Sequence, residues 1–489
     1  MSTADSVVSA TFHTPGMHHL PIEPYTTTAL WRDGVLRVHV PSQWVTGARA
    51  GLAETLGLRP EAVEVLSPYV GGAFGCKAPL LWHTVFTALA ARALGRPVRL
   101  MVTRGQMFTV GPFRPQSKQC VRLGARADGR LIAYEHVEYL QTSRTDDNRL
   151  AGTAITSALY GMENVRLRAH LVSTDVNTPG SMRGPHEYGP LFAVESAIDE
   201  LAAKCGLDPV EFRLRNDTAR HPISGLPFSS RSLAQCLERG AAIFGWDSRD
   251  PRVGSMRDEH GRLVGWGCAS SIYPVLRTPS RTSVRLEPNG RVRALVSGHE
   301  LGTGAYTVLA QILADALGCP LDQVEVELGD SRLPPGPMTV GSSNTGSVGS
   351  AVARTARKAR AHLLNAVASR RGLPGGRWRC ATGWWSGQAA RFARWATRWP
   401  SSARARCSSM TSGHPTNSTG RRSGERSAAE RCSPDRKRTV TLCTVSVPSS
   451  SRSPSNRSPG FRGWGAWSAC SAAGASSTPA RREPNWSAA

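Results

Sequence analysis

The sequence predicts an α/β (α+β) fold over residues 1 to about 366. Three observations carry this: a recurring helix–glycine–proline unit, alternating β-branched stretches between helical ones, and glycine-rich loops at their edges. The unit appears first as Leu52-Ala53-Glu54-Thr55-Leu56-Gly57, followed by Pro60 and Val63-Glu64-Val65. It returns as Leu313-Ala314-Asp315-Ala316-Leu317-Gly318, followed by Pro320 and Val324-Glu325-Val326. A looser third copy runs from Leu201 to Gly206, with Pro209 beyond it. In each, a helix is expected to end on a left-handed glycine, and the proline prevents its continuation. A strand and then a Gly-rich loop should follow the first two.

Further helices are expected at 83–94, 189–205, 306–317 and 348–366, and strands at 35–40, 97–103, 131–140, 165–174 and 282–297. The polar, turn-rich stretch 216–262 reads as a join between two subdomains. The expected division is therefore residues 1–215, residues 216–366 and a tail from 367 to 489.

That tail differs from the rest in composition. Residues 371–489 carry 20 Lys and Arg against 4 Asp and Glu, so +16 of the formal +24 lies there. The same residues contain only 2 Leu, 3 Val, 2 Phe and no Ile, too little apolar surface to offset the entropy of ordering them. A disordered, basic tail is expected. Its 8 Trp and 5 Cys are unusual for a functional disordered tail. A GC-rich coding sequence read out of frame yields this composition, and the tail is expected to be such a product. No apolar run is long enough to span a membrane, and the first fifteen residues do not resemble a signal peptide. The eleven Cys include no Cys-x-x-Cys pair, which argues against zinc ribbons and iron–sulfur ligation on this chain.

Five loops could carry chemistry. Val70-Gly71-Gly72-Ala73-Phe74-Gly75-Cys76-Lys77 lets backbone approach a ligand and aim amides at anionic or oxo atoms, though alone it reads equally as a tight turn. In Ser181-Met182-Arg183-Gly184-Pro185-His186-Glu187, Arg183 at the mouth of a helix could orient a carbonyl or stabilise developing negative charge; alone, it could pair with a surface carboxylate. Gly298-His299-Glu300-Leu301-Gly302-Thr303-Gly304-Ala305 leads into a helix bearing Gln311. Gly341-Ser342-Ser343-Asn344-Thr345-Gly346-Ser347-Val348-Gly349 leads into another. Hydroxyls and helix N-terminal amides there could cradle phosphate, or simply cap the helices. His18-His19-Leu20-Pro21-Ile22-Glu23-Pro24 invites a metal reading, but adjacent side chains diverge and a structural turn is preferred.

In this order the loops resemble those of the molybdenum-cofactor-binding subunits of the xanthine dehydrogenase/aldehyde oxidase family, bacterial aldehyde oxidoreductase branch. His18–Pro24 resembles His-His-Asn-Pro-Met-Glu-Pro, Gly71–Lys77 resembles Gly-Gly-x-Phe-Gly-x-Lys, and Met182–Pro185 resembles Met-Arg-Ala-Pro. Residues 298–349 resemble the two later cofactor loops. The resemblance is nearly continuous from residue 7 to about 360. It implies molybdenum-cofactor-binding domains and a molybdenum hydroxylase subunit that oxidises aldehydes or N-heterocycles with water as oxygen source. It implies a molybdopterin cytosine dinucleotide that itself holds the metal, with no direct protein ligand. It implies 2Fe–2S and FAD on separate iron–sulfur and flavin subunits, and a cytoplasmic enzyme unless a partner carries an export signal.

By the same resemblance, Phe74 and Gly75 lie beside the molybdenum ligands, Gly72 contacts the cofactor, and Arg183 contacts it and orients substrate. Gly302, Thr303, Gly304, Gln311, Ser342, Ser343, Thr345 and Ser347 hold the pterin and its phosphates. The chain departs from the family pattern at Met17 and Thr303, where Gln is common, and at Gly184, where Ala is usual. The family's N-terminal α/β domain has no counterpart. The catalytic Glu of a Gly-x-Gly-Glu loop is also not found; Ser423-Gly424-Glu425 is the nearest stretch. Impaired turnover is expected. The alternatives are a non-catalytic relic that docks partner subunits and, more weakly, nucleic-acid binding through the tail's charge and Trp.

Overall fold

The computed structural model describes residues 1–370, Val275 excepted, and residues 444–445. The expectations for the tail fall outside the described residues. The chain opens with β1 (Ser6–Thr14), β2 (Thr26–Arg32) and β3 (Val35–His39), then α1 (Val45–Leu56), β4 (Val63–Leu66), α2 (Trp82–Leu94) and β5 (Val98–Met101). These four later strands form a sheet in the order β4-β3-β2-β5, with β3 and β4 parallel and the other pairs antiparallel. Alternation decides its faces: Ala29, Leu36, Val38, Val63 and Val65 turn inward onto Val45, Leu52, Ala88 and Ala91 of the two helices.

After α3 (Arg104–Val110), a second sheet uses β6 (Ser117–Ala125), β7 (Leu131–Ser143) and, beyond the one-turn α4 (Thr153–Thr156), β8 (Asn164–Thr174). Its order is β1-β6-β7-β8. The long helix α5 (Tyr188–Lys204) lies across it. Ala193, Val194, Ala197, Ile198, Leu201 and Ala202 fall on one helical stripe and bury against Val8, Val121, Leu123 and Leu131. Full burial of one Val, Leu or Ile side chain stabilises by about 1.5–3 kcal/mol. Inside this core Glu195 accepts from Tyr160 (2.7 Å), from the Arg213 guanidinium (2.8 Å) and from the Ser270 amide (2.7 Å). That carboxylate fixes α6 (Pro209–Arg215) to α5.

The chain continues through α7 (Leu233–Phe244) and β9 (Ser271–Ile272) to a third sheet. It holds β10 (Ser283–Leu286) and β11 (Val292–Leu295), then, after α8 (Ala305–Leu317), β12 (Val324–Glu327), before the chain reaches α9 (Ser350–Arg370). The remaining strand, β13 (Thr444–Val445), pairs with β9. Val284, Ala294, Leu309, Leu313, Val348, Val352 and Ala356 form a separate core between the third sheet and its helices. The two halves meet where β4 runs out: Ser331 and Val65 exchange hydrogen bonds at 2.9 Å, and Ser67 donates to the Gly329 carbonyl. No helix among the described residues is long and apolar enough to cross a membrane. The six described cysteines are free thiols.

Both full copies of the recurring unit form as the sequence predicts. Gly57 (φ +65°) ends α1 and Gly318 (φ +76°) ends α8, each followed by a short 3₁₀ turn and then β4 or β12. The third copy differs after Gly206, because Asp208 caps the next amides and Pro209 opens α6. Two expectations are corrected. The single strand at 282–297 is a hairpin, turned at Asn289-Gly290 with Gly290 left-handed at φ +89°. The stretch 216–262 contains α7, whose Leu233 and Leu237, with Trp246, pack into the core of the second sheet. The last helix starts at Ser350, after a π-helical turn at Thr345–Gly349. Strands β1, β2 and β6 were not expected.

Glycine should be required for backbone reasons alone at the end of α1. A Cβ on Gly57 meets nothing within 4 Å, so Gly57→Ala should destabilise by about 1–2 kcal/mol, the cost of a left-handed alanine. Gly105, in α3 with equally open space and no positive φ, should gain about 0.4–1 kcal/mol on Gly105→Ala. Urea midpoints of the two variants should move in opposite directions; movement in the same direction would exclude this account.

Candidate functional site

Between β4 and α2 the chain runs as a loop shaped by three left-handed residues, Gly72 (φ +88°), Phe74 (φ +56°) and Gly75 (φ +113°). At Gly75 the need is steric, since a Cβ would stand 2.0 Å from the Ser181 carbonyl. Phe74 has a Cβ and still adopts positive φ, a strained state held by its surroundings. Its ring is 44 % exposed. The loop is held from below by Gln43, which is 2 % exposed. The Gln43 Oε1 accepts from the Gly75 and Lys77 amides at 3.2 and 3.3 Å, and its Nε2 donates to the Thr339 carbonyl at 2.9 Å. Its backbone pairs with Lys77 and Thr339 as well. Glu23 closes the other side: its Oε2 accepts from the Gly71 amide (2.8 Å) and from the buried Lys77 ammonium (2.7 Å). Burial pushes the Cys76 thiol up to about 11, so it is no nucleophile at neutral pH.

The segment 181–187 lies against this loop. The Arg183 amide donates to the Phe74 carbonyl at 3.1 Å, and the buried His19 Nε2 bonds the Ser181 carbonyl at 2.7 Å. Arg114 gathers the carbonyls of Met182, Arg183 and Gly184. The Arg183 side chain is exposed, and its guanidinium has no partner among the described residues. It is an exposed cation on the residue whose amide bonds the Phe74 carbonyl. His18–Pro24 is the structural turn that the sequence suggests, with His18 packed edge-on to Phe108. No group of three His, Cys, Asp or Glu that could hold a metal occurs among the described residues.

The later loops close the far side. His299 is fully buried, and its Nε2 accepts from the Val45 amide at 3.0 Å. The proton of the neutral ring is therefore on Nδ1, which donates to Thr339 Oγ1 at 2.8 Å. Burial pushes this imidazole down to about 3. Glu300 turns back on its own loop. Its Oε1 accepts from the amides of Gly302 (2.6 Å), Thr303 (2.6 Å) and Gly304 (3.1 Å). The Glu300 carbonyl accepts from Val70, which ties this loop to the first.

In the last loop Ser342 (φ +44°) and Thr345 are exposed, whereas Ser343 and Ser347 are turned inward. Ser343 donates to the Val340 carbonyl and Ser347 binds Thr278. Burial raises the Tyr273 phenol well above the usual range, and the Glu187 charge adds to this. Gln311 is exposed on α8. Phe74, Arg183, Thr303, Ser342 and Thr345 are thus exposed on loops and Gln311 on α8, and the 70–75 loop is hydrogen-bonded to Arg183 and Glu300. Gly302 and Gly304, both left-handed, leave open space where a Cβ would be. Hydroxyls, an amide, a cation and an aromatic ring are the kinds of group that suit a polar, anionic ligand. Gln43 and Arg114, which hold these loops, are not singled out in the sequence, and Glu300 appears there only as part of its loop.

Two models described as molybdopterin cofactor-binding domain match residues 1–217 and 239–429. The aldehyde oxidoreductase molybdenum-binding subunit of Escherichia coli is 39 % identical over 339 residues, covering 68 % of this chain and 45 % of the relative. A putative xanthine dehydrogenase molybdenum-binding subunit of Escherichia coli is 29 % identical over 341 residues, covering 67 % and 45 %. The chain spans about half the length of these relatives. Among solved structures, quinoline 2-oxidoreductase from Pseudomonas putida 86 superposes with a TM-score of 0.68 at 23 % identity, over 76 % of this chain and 51 % of that one. Aldehyde oxidoreductase from Desulfovibrio gigas gives 0.65 at 23 % identity, over 73 % and 40 %. These two likenesses speak for the fold alone.

Two outcomes follow from the geometry. Gly75→Ala should destabilise by about 1–3 kcal/mol from overpacking, on top of left-handed strain, and more than Gly302→Ala, which has room. Equal urea midpoints for the two would contradict the contact with Ser181. His19, His83 and His136 are pushed down to about 4 by burial, and His299 to about 3. Each is neutral when folded and protonates near 6.5 when unfolded, so acid favours the unfolded chain. Stability should be full above about pH 6.5 and fall as pH drops through the window toward 4 and 3. Thermal midpoints between about pH 7.5 and pH 5 should decline, and less steeply in His299→Gln; a flat profile would refute the buried neutral histidines.

Proposed function

This chain belongs to the xanthine dehydrogenase/aldehyde oxidase family as a molybdopterin-binding subunit, and on that premise we propose that it forms the cofactor cradle of a molybdenum hydroxylase. The substrate class is aldehydes or N-heterocycles, with water as the oxygen source. The observation that carries the reading is the meeting of the 70–75 loop with the 181–187 and 298–304 segments, which leaves Phe74 and Arg183 exposed at one place.

The residues present fit the group. Gly302 and Gly304 leave open space, and Thr303, Gln311, Ser342 and Thr345 present polar side chains on its outer side. These would hold the pterin and its phosphates, with Ser343 and Ser347 acting from within by fixing their loop. Gly72, Phe74 and Gly75 would line the reacting end. When bound, the molybdenum–molybdopterin cytosine dinucleotide supplies the redox chemistry, taking two electrons from the carbon that is oxidised. Arg183 would orient the substrate carbonyl and stabilise negative charge that develops on its oxygen. Phe74 would exclude water from one side. Electrons would leave to 2Fe–2S and FAD on partner subunits, in the cytoplasm. The general base of the reaction is expected in a Gly-x-Gly-Glu loop, of which the sequence has no example.

Co-expression of the full chain with iron–sulfur and flavin subunits tests this. Elemental analysis should give about one molybdenum per chain, with a pterin dinucleotide released on denaturation, and aldehyde oxidation should be negligible. Absence of both molybdenum and pterin from a folded, partner-bound chain would sink the cradle reading and leave a docking role. Substantial aldehyde oxidation would show instead that a base is present.

A further inference from the structure

We propose that Arg114 is a positioning residue for Arg183, an inference that rests on the reading of Arg183 as the group that orients substrate. Arg114 lies between α3 and β6 and is 7 % exposed. Its Nη1 donates to the Gly184 carbonyl at 3.0 Å, and its Nη2 donates to the Met182 and Arg183 carbonyls, both at 2.6 Å. Its backbone pairs with Met17 on both sides, at 3.1 and 2.8 Å, so the guanidinium is anchored at its root. The Tyr188 ring lies against it, 4.5 Å from centroid to guanidinium carbon.

This is an unusual use of a buried cation. The Glu187 carboxylate acts on Arg114 electrostatically, but the hydrogen bonds of the guanidinium all go to backbone carbonyls. Its Nε has no hydrogen-bond partner among the described residues, and the residue lines a small pocket together with Thr14, Ser117 and Glu138. Burying a charge is costly unless it is compensated, and here three consecutive carbonyls, aided by the Glu187 charge, provide the compensation. They belong to Met182, Arg183 and Gly184, the peptide groups that set the direction of the Arg183 side chain. The Arg183 amide is fixed on its other edge by the Phe74 carbonyl. With its backbone held on both edges, Arg183 keeps its side chain outward beside Phe74. A planar fork of five donors can span three carbonyls, whereas an ammonium is a point charge with no such fork.

The test is equilibrium binding of benzoate, a carboxylate of the class that aldehyde oxidation produces, to the full chain purified with its partner subunits. Arg183→Ala should abolish binding. Arg114→Met should weaken it about tenfold without touching the ligand, and Arg114→Lys should recover little of that loss although it keeps the charge. The double variant should bind no worse than Arg183→Ala. Amide exchange should accelerate in residues 181–187 of the Arg114 variants and not in β6 or α5. Wild-type affinity in both Arg114 variants, with binding lost in Arg183→Ala, would overturn the positioning role and leave the Arg183 reading standing. Full recovery in Arg114→Lys would also overturn it, in favour of a bare charge effect. Unchanged affinity in Arg183→Ala would instead overturn the reading of Arg183, and the inference with it.

Discussion

The buried amide side chain of Gln43 is the contact on which the loop arrangement depends. It reaches Gly75 and Lys77 on one side and Thr339 on the other, and Thr339 in turn receives the proton of His299. His299 accepts from the first amide of α1. Every polar atom in this chain is inside the protein, where a donor or acceptor left unmade costs about 1–3 kcal/mol. None of the three loops can shift without leaving such an atom stranded. The network therefore behaves as one unit and fixes the distance between the two halves of the molecule.

The sheets and helices supply the rigid frame for this unit. The sheet β4-β3-β2-β5 ends where the first glycine loop begins, α5 starts just after the Arg183 segment, and α8 and α9 start just after the other two loops. Each loop thus leaves or enters an element whose apolar face is already committed to a core. That commitment allows strain to be stored at Phe74 and Ser342, which hold left-handed backbones that relaxed residues of their kind avoid.

Much of this frame was legible in the sequence because its causes are local. The glycine that ends α1 or α8 and the proline after it act within a few residues of themselves. The hairpin at Asn289-Gly290 was merged into one strand because apolar alternation on both sides masked a two-residue turn signal. Strand β1 breaks its alternation at Val7-Val8, and β2 opens on three Thr before reaching Leu30-Trp31, so neither shows a clean period of two. The site was legible as a set of loops but not as a wiring diagram. Gln43 and Thr339 are 296 positions apart, and Arg114 and Met182 are 68 apart, so no local pattern links them. Ser343 and Ser347 are spaced by one helical turn and share the inward face, whereas Ser342 and Thr345 fall outside it; helical spacing alone could have separated the two pairs.

The carboxylate of Glu300 sits among the amides of Gly302, Thr303 and Gly304. Those three donors are therefore not vacant. The turn is closed by its own side chain, and one carboxylate oxygen holds three successive amides, two of them on left-handed glycines, in a fixed fan.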